Sequence, residues 1–116
     1  MHYFEYASAD ATLYEGPVTQ SQNTGLDEIL EIRKDTNNNA SIINVSRAVI
    51  KFDLTYISSS VISGLIPSTA EYYLNMYDAN PVDINYSQSL YAYPVSQSWV
   101  VGQGFLGDDP ATQEGA

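Results

Sequence analysis

The sequence predicts an all-β domain, an antiparallel β-sandwich of jelly-roll type. Three observations predict it. The stretch from Asn44 to Leu54 alternates, with Ala48, Ile50, Phe52 and Leu54 on one side of an extended chain and Arg47, Val49, Lys51 and Asp53 on the other. That is the period-two pattern of a strand with one buried face. Strand-favouring residues dominate, with ten tyrosines among 116 residues and many Val, Ile and Thr beside them. Turn-forming clusters recur at short intervals, as they do in folds built of many short strands.

Taken in order, Ala9 to Tyr14 alternates and stops at Glu15-Gly16-Pro17, a turn. Gln20 to Thr24 is polar loop. Glu28 to Arg33 is a second strand candidate, although Leu26 to Leu30 is too short for periodicity to separate a strand from the start of a helix. Asp35 to Ser41 carries Asn37-Asn38-Asn39 and reads as a hairpin tip or loop, because asparagine tolerates turn geometry. The central strand runs from Ile42 to Leu54. Beyond it, Tyr56, Ile57, Val61, Ile62 and Leu65 approximate helical spacing, while Ser58-Ser59-Ser60 and Gly64 oppose a helix. One loose helical turn inside a crossover, Thr55 to Pro67, is the expectation.

Ala70 to Tyr77 alternates again, with Ala70, Tyr72, Leu74 and Met76 inward and Glu71, Tyr73, Asn75 and Tyr77 outward. Asn80-Pro81 marks a turn over Asp78 to Asp83. Ser89 to Val95 predicts a further strand, which Pro94 places at an edge or a strand end. The tail after Trp99 holds Gly102, Gly104, Gly107 and Pro110 and reads as loop. The expected core is Ala48, Ile50, Phe52, Leu54, Tyr72, Leu74 and Met76, and Trp99 is placed in the core, against the alternative of a ligand platform. An N-terminal extension, residues 1–8, would precede a single domain over residues 9–116.

Composition sets the bounds on function. The length suits one domain, and 44% hydrophobic residues make a core of two packed layers feasible. No apolar run approaches the roughly 18 residues of a membrane span, so no membrane partner is expected. Met1 to Tyr6 lacks the basic-then-apolar pattern of a secretory signal. Without cysteine there is neither a disulfide framework nor thiolate chemistry. Four basic against 14 acidic residues give a formal charge of −10, and all four cations, Arg33, Lys34, Arg47 and Lys51, lie in one short segment. Such a surface repels a polyanion, so nucleic acid is not an expected partner. It keeps a chain in solution, or steers cations and partners toward it.

No catalytic residue is predicted. His2 is the only histidine. A zinc site would need carboxylates alone, a poor match to that metal, and a hydrolytic triad needs an oriented base that a terminal histidine does not supply. There is no Gly-rich phosphate loop and no nucleophile elbow. Asp108, Asp109 and Glu114 are the only close carboxylates on a loop. They offer hard oxygen ligands to calcium, against the alternative of a solvated loop, and no other cofactor is expected. Asp10 and Asp53 stand at strand ends, suited to capping or to pairing with Lys51 or Arg47. Tyr73 and Tyr77 share one outward face, and Tyr91 and Tyr93 share another. Flat aromatics at such positions stack on sugar rings or anchor a protein interface, unless they serve cross-strand packing. Asn39-Ala40-Ser41, Asn44-Val45-Ser46 and Asn85-Tyr86-Ser87 match the glycosylation acceptor pattern, an accidental match in a chain without an export signal.

The order of these pieces resembles the DNRLRE-type domain, a β-sandwich of extracellular and phage structural proteins allied to carbohydrate-binding modules. Asp10-Ala11 is similar to the opening of its first strand, and Asn23-Thr24-Gly25 followed by Leu30-Glu31-Ile32 to its Asn-x-Gly and short Leu-x-Val strand. Arg47 to Leu54 is similar to its Arg-x-x-(Leu/Ile)-(Lys/Arg)-Phe-Asp-Leu centre, and Ile66 to Tyr77 to its Ile-x-x-Ala-x-Leu-x-Leu-x-x-Tyr strand. Tyr91 to Val95, then Trp99 and Gly102, resemble its closing strand and Trp-x-x-Gly element. The connection from Thr55 to Leu65 is longer than that family usually has. Its members also continue into further strands after Trp-x-x-Gly. The resemblance therefore implies a sandwich incomplete at its C-terminus, the N-terminal part of a longer chain or one finished by a partner.

Together these readings lead to a non-enzymatic structural module of a virus particle, such as a phage head decoration, neck or tail-fibre component. It would assemble in the host cytoplasm and act by association with other virion proteins or with itself. The alternative is an extracellular carbohydrate-binding module of a secreted polysaccharide-acting protein, with a glycan as partner.

Overall fold

The computed structural model describes residues 2–79 and 89–108. The chain divides into two units, residues 1–53 with 99–116, and residues 54–98. The described part is β-rich, with one short helix.

In the first unit, β1 (Ala7–Tyr14), β2 (Lys34–Thr36) and β3 (Ile42–Phe52) form an antiparallel sheet in the order β1-β3-β2. β3 is central because it is long and rich in β-branched residues, which fit a pleated surface with neighbours on both sides. Thr12 stands opposite Ala48, Tyr14 opposite Ser46, and Leu13 opposite Arg47. Lys34 stands opposite Val45. The register shifts between Ala7 and Ala9 in β1 and between Asp35 and Thr36 in β2. The sheet is open, with β1 and β2 at its edges.

The asparagine-rich segment is the hairpin tip of the two alternatives and joins β2 to β3, although Asp35 and Thr36 belong to β2. Asn37 Oδ1 accepts from the backbone N–H of Asn39 and of Ser41, both at 3.0 Å, and the Asn37 N–H donates to the Ser41 carbonyl at 2.9 Å. The turn forces Ala40 to φ 58°, a left-handed conformation. A Cβ there costs about 1 kcal/mol. Ala40→Gly is therefore expected to stabilise the chain by several tenths of a kcal/mol, raising the melting temperature by a few degrees. A lower melting temperature would show that the strain is absent.

Glu28 to Arg33 is not a strand. Its backbone donors go to side chains instead of a ladder: Thr12 Oγ1 accepts from the Glu31 N–H at 3.0 Å and Ser46 Oγ from the Arg33 N–H at 2.8 Å. The ladder begins only at Lys34, opposite Val45. β3 ends at Phe52, short of Leu54, because the Leu54 carbonyl already accepts from the Ser58 N–H at 2.8 Å as the helix begins.

The second unit holds that helix, α1 (Thr55–Ile62), two turns where the sequence led us to expect one. Its serines turn their hydroxyls back on the helix: Ser59 Oγ donates to the Tyr56 carbonyl at 2.9 Å. Gly64 follows at φ 76°, the left-handed residue that commonly ends helices. Neither Ala70 to Tyr77 nor Ser89 to Val95 forms a strand. Alternation provides a strand's two faces, but a strand also needs a ladder partner, and neither segment has one among the described residues.

The expected core is corrected accordingly. Ala48, Ile50, Phe52 and Trp99 are half-buried, whereas Leu54, Tyr72, Leu74 and Met76 are exposed. Among the described residues the buried apolar side chains are Ala11 and Ile66, and the buried polar ones are Thr12, Asn23, Thr24, Ser46 and Ser60. The interior of the first unit thus relies on satisfied hydroxyl and amide groups. No buried side-chain polar atom among the described residues lacks a partner, which removes the desolvation cost that such groups otherwise carry.

Candidate functional site

Three features stand out: a polar seam in the first unit, a cleft beside it, and exposed tyrosines in the second unit. The seam joins residues about 80 positions apart. Asn23 Nδ2 donates to the Val101 carbonyl at 3.2 Å, and its Oδ1 accepts from the Gly104 N–H at 2.6 Å and the Gly25 N–H at 3.1 Å. The Leu26 N–H donates to the Gly104 carbonyl at 3.0 Å, and Gln22 Oε1 accepts from the Gly107 N–H at 2.9 Å. Gly25 lies so close that a Cβ would stand 2.1 Å from the Val101 carbonyl oxygen. Asn23-Thr24-Gly25 and the segment after Trp99, two motifs recognised separately in the sequence, are therefore one structural unit.

The seam also closes a sheet edge. Thr24 Oγ1 accepts from the Thr12 N–H and donates to the Thr12 carbonyl, both at 2.8 Å. These backbone groups point away from β3, on the outer edge of β1. An unpaired edge templates further strand pairing, and here a single threonine occupies its middle. At the other edge β2 has three residues, too few to offer a long template.

The cleft has a volume of about 490 Å³. Ile29, Leu30, Phe105 and Leu106 contribute its apolar surface, with Tyr14, Asp27, Glu28 and Glu31 around them. The Tyr14 hydroxyl donates to Glu31 at 2.6 Å, Glu31 pairs with Arg33 at 2.9 Å, and Arg33 reaches Asp35 at 3.0 Å. Burial first, then the Glu31 hydrogen bond and the charges of Glu31 and Asp27, raise the Tyr14 pKa well above its ordinary 10.0, against a smaller opposing effect of Arg33. Because the folded state resists ionisation, the contribution of Tyr14 is fully present below about pH 10 and is lost as pH rises further. Denaturant titrations from pH 9 to 11.5 should show stability falling more steeply in the native chain than in Tyr14→Phe. Parallel curves would mean that the hydroxyl is not engaged.

The tyrosines proposed for binding lie in the second unit. Tyr73, Tyr77, Tyr91 and Tyr93 are 77–94% exposed. Tyr91 and Tyr93 stack at 6.5 Å between ring centroids, with 23° between planes. Tyr73 and Tyr77 do not share a strand face, since no strand forms there; the Tyr73 hydroxyl donates to Glu71.

Asp108 Oδ2 accepts from the Phe105 N–H at 3.0 Å, while the Asp108 N–H donates to the Phe105 carbonyl at 3.2 Å. Its carboxylate thus closes a local turn. Asp109 and Glu114, its expected companions at calcium, lie outside the described residues, as does Asn85-Tyr86-Ser87. Among the described residues no group of three acidic or histidine side chains is placed to hold a metal ion, and no helix is long and apolar enough to cross a membrane. Arg47 pairs with Glu15, on its own face of the sheet; Asp10, opposite Ile50, lies on the other face.

The seam's two ends were visible in the sequence, but their meeting was not, because no local pattern reports a contact across 80 residues. No family model, curated protein or solved structure matches the chain.

Proposed function

We propose that this chain is a non-enzymatic structural module of a virus particle, a head decoration, neck or tail-fibre component that works by associating with other proteins or with itself. The carrying observation is the imbalance of apolar surface in the second unit. Ile66 is its buried apolar side chain among the described residues, whereas Tyr72, Tyr73, Leu74, Met76 and Tyr77 are each 48–94% exposed along one segment. Exposed apolar surface of that extent marks an interaction site. The segment alternates like a strand yet has no ladder among the described residues, as expected of a strand that is completed by association. In this reading the open three-stranded sheet is part of a larger β-sandwich of the DNRLRE type, and the virion assignment follows from that resemblance, which is a fold-level analogy.

The stacked, exposed pair Tyr91 and Tyr93 supports a second reading, a carbohydrate-binding module, since neighbouring rings offer their faces to sugars. Light scattering after size exclusion separates the two. Where the structural module associates with itself, the native chain elutes above the mass of one copy, and Tyr73→Ser combined with Tyr77→Ser reduces that mass without lowering the melting temperature. A native chain that elutes as one copy, and whose tyrosine fluorescence saturates with an oligosaccharide until Tyr91→Ser and Tyr93→Ser are introduced, would establish the carbohydrate reading instead.

A further inference from the structure

The cleft of the first unit has a chemistry that the exposed tyrosines do not share. Its apolar lining is open to solvent: Ile29 is 63%, Phe105 48% and Leu106 42% exposed. Asp27, Glu28 and Glu31 surround that lining, and no cation lines it. Arg33 meets Glu31 from one side. Asp27 accepts from the Leu106 N–H at 3.1 Å, which holds one wall in place. Glu28 makes no hydrogen bond or ion pair among the described residues. The geometry points to a docking cleft for an arginine side chain of a partner protein, its aliphatic stem on the apolar wall and its guanidinium at Glu28.

Three considerations select that occupant. An apolar wall with an acidic border matches a side chain that is apolar along its stem and cationic at its head. Tyr14 and Phe105 supply aromatic rings, on which a guanidinium stacks better than an ammonium. A second copy of this chain is a poor source, because its two arginines are already engaged, Arg33 by Glu31 and Asp35 and Arg47 by Glu15.

This inference rests on the association reading, but its test does not. Butylguanidinium carries the stem and head of arginine. Titrated into the isotopically labelled full chain, it should shift the amide resonances of residues 28–31, 105 and 106 saturably, while guanidinium alone and butanol alone should not at the same concentration. Glu28→Gln, an exposed and conservative change, should weaken binding about two- to fivefold, the range of one exposed charge pair. Shifts spread evenly over acidic residues, equal shifts from either half-probe, absent saturation or an unchanged affinity in Glu28→Gln would each overturn it. The same titration on the chain carrying Tyr73→Ser and Tyr77→Ser separates the two claims: loss of self-association with retained probe binding places them on different surfaces. A native chain that stays monomeric yet binds the probe would remove the tyrosine-mediated association alone.

Discussion

Gly25→Ala is expected to destabilise this chain strongly. The new Cβ would stand 2.1 Å from the Val101 carbonyl oxygen and 2.6 Å from that of Gly102. Real carbon atoms do not approach an oxygen so closely, and backbone cannot swing aside as a flexible side chain does. The seam has to open, with loss of the hydrogen bonds from Asn23 and Leu26 to the segment after Trp99. A cost of about 3 kcal/mol or more follows, the upper end of overpacking effects, equivalent to a fall of more than 10 °C in melting temperature for a chain of this size. Circular dichroism melts of the two proteins decide it. A shift under 2 °C would mean that the two segments do not touch.

Asn23→Ala should be nearly as costly, by a different route. Asn23 is 2% exposed, and its Oδ1 satisfies the N–H groups of Gly104 and Gly25. Removing the side chain leaves buried donors without an acceptor, at about 1–3 kcal/mol for each group that water cannot reach. A loss of roughly 2–4 kcal/mol in denaturant titration is expected. Because Asn23 and Gly25 serve one seam, the double variant should lose less than the sum of the singles. Full additivity would place them in independent structures.

How much of this was legible beforehand can be argued from particular residues. β1 and β3 were readable because each alternates over a length that allows no other period, and Asn37 to Ser41 because asparagine turns have local chemistry. Ala70 to Tyr77 alternates just as well, yet it forms no strand. Its pattern describes two faces and says nothing about a ladder partner. The helix was underestimated because Ser58, Ser59 and Ser60 count against it on propensity, whereas the Ser59 hydroxyl finds a partner in the helix's own backbone. The interior was misjudged for a related reason. Alternation of apolar residues directed attention to Phe52 and Leu54, whereas the buried positions of the first unit include Thr12, Thr24 and Ser46, whose hydroxyls hold the backbone of crossing segments. Tyr73, Tyr77, Tyr91 and Tyr93 were singled out from sequence, whereas Tyr72, expected inward, is exposed. The cleft was not, since Ile29 and Phe105 meet only after the seam has formed.

That the chain associates with itself through Tyr73 and Tyr77 is the central claim, and mass action tests it most directly. Anything that binds the folded state and not the unfolded one makes the melting temperature depend on its concentration. A native chain that associates through its exposed tyrosines should therefore melt at higher temperature as its own concentration rises across the micromolar range, with a matching rise in sedimentation coefficient. Both trends should vanish in the chain carrying Tyr73→Ser and Tyr77→Ser. A monodisperse monomer with one cooperative melt at a concentration-independent temperature would contradict the claim, because the fold would then be complete in a single copy.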